Sequence, residues 1–399
     1  MKAKPLYLLT VFVSILLVFI GHRIAVQGLL IPRDFPHEIV RARVESVVER
    51  TLPDIYMGAF EDEGDSEHLL AMLGERLVFH AQVREGMHRG RIVTAEQNLG
   101  NFLGVADPLR EVTAGDRILL IYTGNRWFFL EHIRTNKLAG LAIIFALCIL
   151  VLGGKKGFNT ILSLSLTCAA VFAVFIPSIL SGMNIYIMAA LVCAYTTIMT
   201  LSIVIGFNKK ALAAAVGCLG GILVTGIITV IMNRMLFLTG IVDEHSRFLA
   251  TLQIGPEINI RAIIFAGIII GAMGAIMDVA MSISSSLWEV KEEARNLRFE
   301  TLFRSGMNIG RDIMGSMANT LILAYIGTSL SVVLVLGIYS SSLTELFNRE
   351  MIVVEVLQAL AGSFGILFAM PLTAFACATI YLKKDKPKKR RIEMFESLQ

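Results

Sequence analysis

Charge is scarce in this chain: Asp, Glu, Lys and Arg make up 17% of 399 residues, against about a quarter in soluble domains. A soluble globular protein is excluded. Cysteine is absent from the whole polar stretch 32–137. All five cysteines (Cys148, Cys168, Cys193, Cys218, Cys377) lie in apolar runs, which supports neither a disulfide framework nor a thiolate metal cluster. Also missing are a Walker loop, an HExxH helix, a Ser–His pairing and any nucleic-acid motif. Direct ATP drive, side-chain catalysis and nucleic-acid binding are therefore not expected, and no cofactor is implied. What the chain has in abundance is apolar length: 55% hydrophobic residues and a mean hydropathy of +0.69. The expectation is an α-helical polytopic membrane protein with the lipid bilayer as its main partner.

Residues 6–26 form an apolar run behind Lys2 and Lys4, long enough to span a bilayer of about 30 Å. No small-x-small cleavage site closes it, so residues 1–31 read as an uncleaved anchor rather than a signal peptide. Residues 32–137 are different in kind. Ala42, Val44 and Ser46 alternate with charge, and the stretch from Arg76 to Val83 keeps the same rhythm up to Glu85-Gly86. Further on, Ala114-Gly115-Asp116 precedes ILLIY, and Gly124-Asn125 separates that run from WFFLEHI. Period-two bursts split by such turns predict strands and hairpins, hence a small exported β-rich domain, an OB-like barrel. The acidic run 61–67, EDEGDSE, lacks the regular spacing of a calcium loop and reads as a solvated turn. The histidines His22, His37, His68, His80, His88, His132 and His245 are scattered, with no metal-ligand spacing.

From residue 138 the chain stays apolar, with spans at 138–154, 160–180, 184–206, 211–232, 260–288, 308–337 and 351–382; with the first this makes about eight. Lys2 and Lys4, Lys155 and Lys156, Lys209 and Lys210, the group Lys291, Arg295, Arg298 and Arg304, and the tail 383–399 beginning KKDKPKKRR then fall on one side. The positive-inside rule makes that side cytoplasmic, with both termini inside and the β-rich domain and the loop 233–259 outside. That loop reads as a short amphipathic or re-entrant helix. The basic tail reads as a topology anchor that can also meet anionic headgroups.

Two spans carry polar residues that apolar filler does not need. At 100° per residue, Gly267, Gly271, Gly274, Asp278, Ser282 and Ser285 share an arc of about 80°. Gly and Ser on one face predict close helix packing, but Asp278 is not explained that way. A carboxylate at mid-span costs about 2.5–3.5 kcal/mol on insertion scales, so it belongs against protein or water. It lies about 13 Å from Leu287 at the inner end. On the next span Asn308, Asp312, Gly315 and Asn319 share an arc of about 60°, with Arg311 on its edge. The candidate site is Asp278, Ser282, Asn308, Arg311, Asp312 and Asn319, with Asp278 facing Asn319. Oxygen ligands and a titratable carboxylate suit a cation or proton, whereas Arg311 suits an anionic solute. Helix packing alone, with Asp278 paired to Arg311, is the competing reading. In the last span, Gly362, Gly365 and Pro371 fit either a broken helix or a packing helix, and Thr225 and Thr229 are expected to bond back to their own helix.

The runs GAMGAIMDVAMSISSSLWE and SGMNIGRDIMGSMANTLILAYIG resemble the signature of the YibE/F family of bacterial multispanning membrane proteins, over residues 140–382. The resemblance implies a bundle preceded by an exported region, in the bacterial cytoplasmic membrane. It brings no substrate, reaction or catalytic residue. A secondary transporter or ion-conducting protein, with an ion or small solute as ligand, is the first functional expectation. The alternative is an envelope assembly or signalling protein whose exported β-domain binds an envelope partner. The sequence sets no oligomeric state.

Overall fold

The computed structural model describes residues 3–27, 38–51, 75–99, 101–102, 105–106, 110–123, 125–251, 258–294, 297–339 and 342–383. The acidic run 61–67, His37, His68, Arg295 and the tail beyond Lys383 lie outside them. The chain divides into two compact units, residues 32–148 and residues 1–31 with 149–399.

The smaller unit contains a barrel. Strands β1 (Glu38–Thr51), β2 (Glu75–Val83), β3 (Ile92–Leu99), β6 (Arg117–Thr123) and β7 (Arg126–His132) close in the order β1-β2-β3-β7-β6, beside the short pair β4 (Asn101–Phe102) and β5 (Val105–Ala106). All neighbours are antiparallel except β3 and β7. This is the Greek-key order of an OB-type barrel, as the period-two bursts predict. Register follows the alternation: Ala42 stands opposite both Val83 and Ile118, Val44 opposite Ala81, Val40 opposite Leu120 and Phe79 opposite Ala95. All of these are buried, and a slip of one residue would turn every one of them to solvent. Two irregularities in β1, at Val44/Ser46 and Val47/Glu49, bend this long strand so that it serves both neighbours. Gln97 is the polar residue of the core. Its amide donates to the Arg110 carbonyl at 3.1 Å and accepts from the Val112 N–H at 2.9 Å.

The turn before β6 is held by Asp116, which accepts from the backbone and hydroxyl of Thr113, both at 3.0 Å, and from Arg110 at 3.1 Å. Partial burial opposes ionisation, but the Thr113 bonds and the Arg110 and His132 charges together hold the carboxyl below its usual range. A lowered folded-state pKa gives stability that is present above the unfolded value near 4 and is lost as pH falls through the folded one. Asp116→Asn is therefore expected to destabilise the barrel at pH 7 and to cost less at pH 3, where the unfolded-state carboxyl is already mostly protonated, as read by denaturant titration at the two pH values.

The larger unit is a bundle of long apolar helices: α1 (Ala3–Gln27), α2 (Thr135–Ala169), a π segment (Ala170–Phe175), α3 (Ile176–Leu180), α4 (Ile185–Val204), α5 (Lys209–Met235), α6 (Glu244–Thr251), α7 (Ile260–Glu293), α8 (Phe299–Thr328), α9 (Leu330–Tyr339), α10 (Leu343–Asn348) and α11 (Glu350–Leu382). Here α2 is helical from Thr135 but belongs to this unit only from residue 149 onward. Among the described residues six helices are long and apolar enough to cross a membrane, and the bent pair α8–α9 would make a seventh.

Two expected boundaries need correction. The gap after residue 154 is no loop: Gly154 alone leaves helical geometry, at φ 54 and ψ −127. The turn there brings Gly157 against Ile149, whose carbonyl lies 2.1 Å from where a β-carbon on Gly157 would stand. In an unbroken helix those residues would be about 12 Å apart. The expected single span 308–337 instead starts at Phe299 and bends by 58° between α8 and α9. Its start is earlier because Leu302 and Gly306 already pack. Its bend falls at Gly327-Thr328-Ser329, the kind of Gly/Ser step where helices kink.

The π segment has a cause as well. Pro177 lacks an N–H and pushes away the carbonyl four residues before it. That carbonyl, on Ala173, accepts from His22 Nδ1 at 2.7 Å, which fixes the ring tautomer and ties α1 to the bundle. Tyr7 to Asn159 at 2.8 Å and Tyr195 to the Ser14 carbonyl at 3.1 Å complete that attachment.

At the core of the bundle, α11 packs against α5, α7 and α8. Its buried face, Ala361, Gly362, Gly365, Ala369, Thr373 and Ala374, meets small residues of its neighbours. A β-carbon on Gly217 would lie 1.8 Å from Thr373 Oγ1, and one on Gly365 2.1 Å from Thr225 Oγ1. Small residues here let the backbones approach. Helix α11 runs unbroken through Pro371, so its glycines serve packing. Thr225 and Thr229 do bond back, to the Gly221 and Thr225 carbonyls at 3.1 and 2.8 Å. Within the loop 233–259 the expected short helix is α6, whose first turn Asp243 caps by accepting from the Ser246 N–H at 2.7 Å.

Candidate functional site

Helix α7 buries Ile276, Ile283 and Leu287 against its neighbours. Asp278 lies about 140–180° around the helix from all three, and it is exposed. The glycines beside it are open. Among the described residues no atom comes within 4 Å of a β-carbon built on Gly267 or Gly274, whereas Gly271 meets the Tyr325 hydroxyl at 2.8 Å. The expectation that this stripe serves close packing therefore fails at Gly267 and Gly274. Ser282 and Ser285 are half-buried, while the fully buried serine is Ser284. Ser284 donates to the Lys210 carbonyl at 2.8 Å and accepts at its own carbonyl from Tyr381 at 2.9 Å. That lock joins α5, α7 and α11, and the sequence run Ser284-Ser285-Ser286 gives no sign of which serine makes it.

Helix α8 repeats the pattern. Gly306 packs against Ala374 and Leu287, and Gly310 against Met370 and Ile283; both lie about 160° from Asn308. Asn308, Arg311, Asp312 and Asn319 are exposed on the other side, with open space at Gly315. The helices α7 and α8 meet mainly through faces away from their polar stripes, Leu287 on Gly306 and Ile283 on Gly310, and touch the stripe of α7 at Gly271, under the Tyr325 hydroxyl. Among the described residues no hydrogen bond or ion pair joins Asp278 to Asn319, Asp312 or Arg311. Within the set the only bond is Arg311 Nη1 to Asn308 Oδ1, long at 3.5 Å. Asp278 has no hydrogen-bond or ion-pair partner among the described residues, and no cluster of three His, Cys, Asp or Glu able to hold a metal occurs among them. The arrangement is thus two separate polar faces on a bundle whose interior is apolar and small.

A second polar feature was not foreseen. Between α4, α5 and α7 lies a cavity of about 1090 Å³, with Arg234, Arg261, Asn233 and Asn259 at one end. Asn233 and Arg234 close one apolar run and Asn259 and Arg261 open another, and only the fold brings the two pairs together.

A small closed β-barrel followed by a bundle of helices long and apolar enough to cross a membrane fits a multi-helix membrane protein. The chain belongs to the YibE/F-like family, whose profile matches residues 141–383, the whole bundle after α1. No curated protein and no solved structure matches it.

Proposed function

We propose that the chain is a secondary transporter or ion-conducting protein of the bacterial cytoplasmic membrane, a carrier rather than an enzyme, with Asp278 as the carboxylate of a cation or proton path. The observation that carries this reading is Asp278 itself, exposed in the middle of an apolar helix, beside open glycine positions and without a partner among the described residues. Hydrocarbon does not tolerate such a group, so its face must meet water or another polypeptide. The missing side chains at Gly267 and Gly274 leave room along it. Asn308, Asp312 and Asn319 supply a second row of oxygen donors on α8. About eight passes follow when the turn at Gly154 and the bend before α9 are counted with the long helices, and the basic loops then all face the cytoplasm.

The test is flux through reconstituted vesicles, with a pH-sensitive dye for protons and radioactive sodium as the second probe. The native protein is expected to carry one of them above empty vesicles, Asp278→Glu to retain that flux, and Asp278→Asn to reduce it to background at equal incorporation. Undiminished flux in Asp278→Asn would overturn the assignment of Asp278.

The other reading gives the barrel a protein partner. Its support is the apolar surface of the barrel, where Ile39, Val48, Met87 and Ile92 are each at least half exposed. Deleting residues 32–137 separates the two: flux survives the deletion in the first reading, and partner capture is lost in the second.

A further inference from the structure

The cavity between α4, α5 and α7 has walls of Tyr186, Ile227, Phe265 and other apolar side chains over most of its length. Its polar groups are confined to one end, where α5 finishes and α7 begins. Arg234 and Arg261 both stand there, exposed, and neither forms an ion pair among the described residues. Asn233 lines the same end, is only 8% exposed, and its side-chain oxygen has no hydrogen-bond partner among the described residues. A buried acceptor left unpaired is costly. In the orientation expected from the loops this end faces outward, where Arg is scarce because the charge rule disfavours it. Two guanidinium groups without an ion-pair partner and a buried acceptor without a hydrogen bond, both among the described residues, above an apolar trough call for an amphiphile with a negative head that also carries a donor.

We propose that this cavity is a binding site for a glycerophospholipid with an anionic headgroup. Its phosphate lies between Arg234 and Arg261, a headgroup hydroxyl donates to Asn233 Oδ1, and an acyl chain fills the trough toward Ile269. The inference rests on membrane embedding but not on the path at Asp278, and lipid retention is read without any flux.

The experiment is native mass spectrometry of the detergent-purified full chain offered phosphatidylglycerol and phosphatidylcholine. Phosphatidylglycerol is expected to be retained in preference, because phosphatidylcholine has the phosphate but lacks the donor and places a quaternary ammonium near two arginines. The double change Arg234→Ala with Arg261→Ala is expected to weaken retention at least about tenfold, and Asn233→Leu to narrow the preference between the two lipids to the part set by the quaternary ammonium. Gly226→Leu tests the trough itself, since a β-carbon there meets only the Phe265 ring at 3.4 and 3.5 Å. It should lower retention with both arginines intact; Ala190→Phe, on the facing wall, repeats the test from the other side if Gly226→Leu lowers the melting temperature. Retention lost in the arginine variant but unchanged in both trough-filling variants would overturn the proposal and leave the arginines as ordinary headgroup anchors. Equal retention of the two lipids by the native chain would overturn it as well.

Discussion

Gly217→Val is expected to prevent the bundle from assembling, with loss of folded protein from membrane extracts and a cost of at least about 3 kcal/mol. The reason is the depth of the overlap. A single β-carbon at Gly217 would stand 1.8 Å from Thr373 Oγ1, 2.7 Å from its Cβ and 2.8 Å from its Cα. A rotamer change can move the hydroxyl but not the Cα, so the helix axes must separate. Thr373 is fully buried and its hydroxyl donates to the Ala369 carbonyl at 2.6 Å, so even the movable atom loses its acceptor. Separation would also open the neighbouring contacts of Gly221 with the Gly365 carbonyl and of Gly365 with Thr225. The matched control is Gly274→Ala on α7. Among the described residues no atom lies within 4 Å of the added carbon there, so the change should fall within about 1 kcal/mol of neutral, on the stabilising side, because alanine holds a helix better than glycine. Yield and melting temperature in detergent read both variants. Should Gly274→Ala prove as damaging as Gly217→Val, the polar face of α7 would be in contact with another polypeptide in the folded protein.

These two glycines also show where the sequence stops being informative. Apolar length specified the helices well: the expected span 351–382 is α11 at Glu350–Leu382, and 184–206 is α4 at Ile185–Val204. Alternation specified the barrel, because an inward face and an outward face must differ in polarity in a half-wetted strand. Neither signal says which side of a membrane helix meets its neighbours. Between its charged ends and apart from Asp278, helix α7 is apolar or small all round, so Ile276 and Gly274 are equally plausible contact residues until α5, α8 and α11 are placed. A small-residue stripe predicts packing only where a partner helix arrives. On α5 and α11 one does, at Gly217, Gly221 and Gly365; over Gly267 and Gly274 none does among the described residues. The position of Asp278 on the exposed side of α7 follows from the same fact. Its oddity in an apolar run was legible, whereas its separation from Asn319 was not. The cavity end formed by Asn233, Arg234 and Arg261 was invisible for a related reason: the Asn233-Arg234 pair and Arg261 come together only through the packing of α5 on α7.

In the barrel, Phe79→Ala should cost about 3–5 kcal/mol. Phe79 is 0% exposed and shares the barrel core with Leu77, Ile118, Leu120 and Trp127. The closed strand order lets no neighbour collapse into the space without breaking register. A small domain holds only about 5–15 kcal/mol in reserve, so this one change removes a large share of it. For a unit of this size each kcal/mol moves the melting temperature by about 4–8 °C, which puts the expected fall above about 12 °C. The chain supplies its own reporters, since it has two tryptophans: Trp127 in the barrel core and Trp288 in the bundle, where it stacks edge-on with Tyr381 at 5.0 Å. With Trp288→Phe as background, Trp127 emission should follow the barrel alone and show the full shift. With Trp127→Phe as background, Trp288 emission should melt where it does in the unaltered chain, because the two units have separate cores. A joint shift of both reporters would mean that barrel and bundle unfold as one. Flux and lipid retention would then both respond to barrel variants, and a flux defect on deleting residues 32–137 could no longer be assigned to a lost partner.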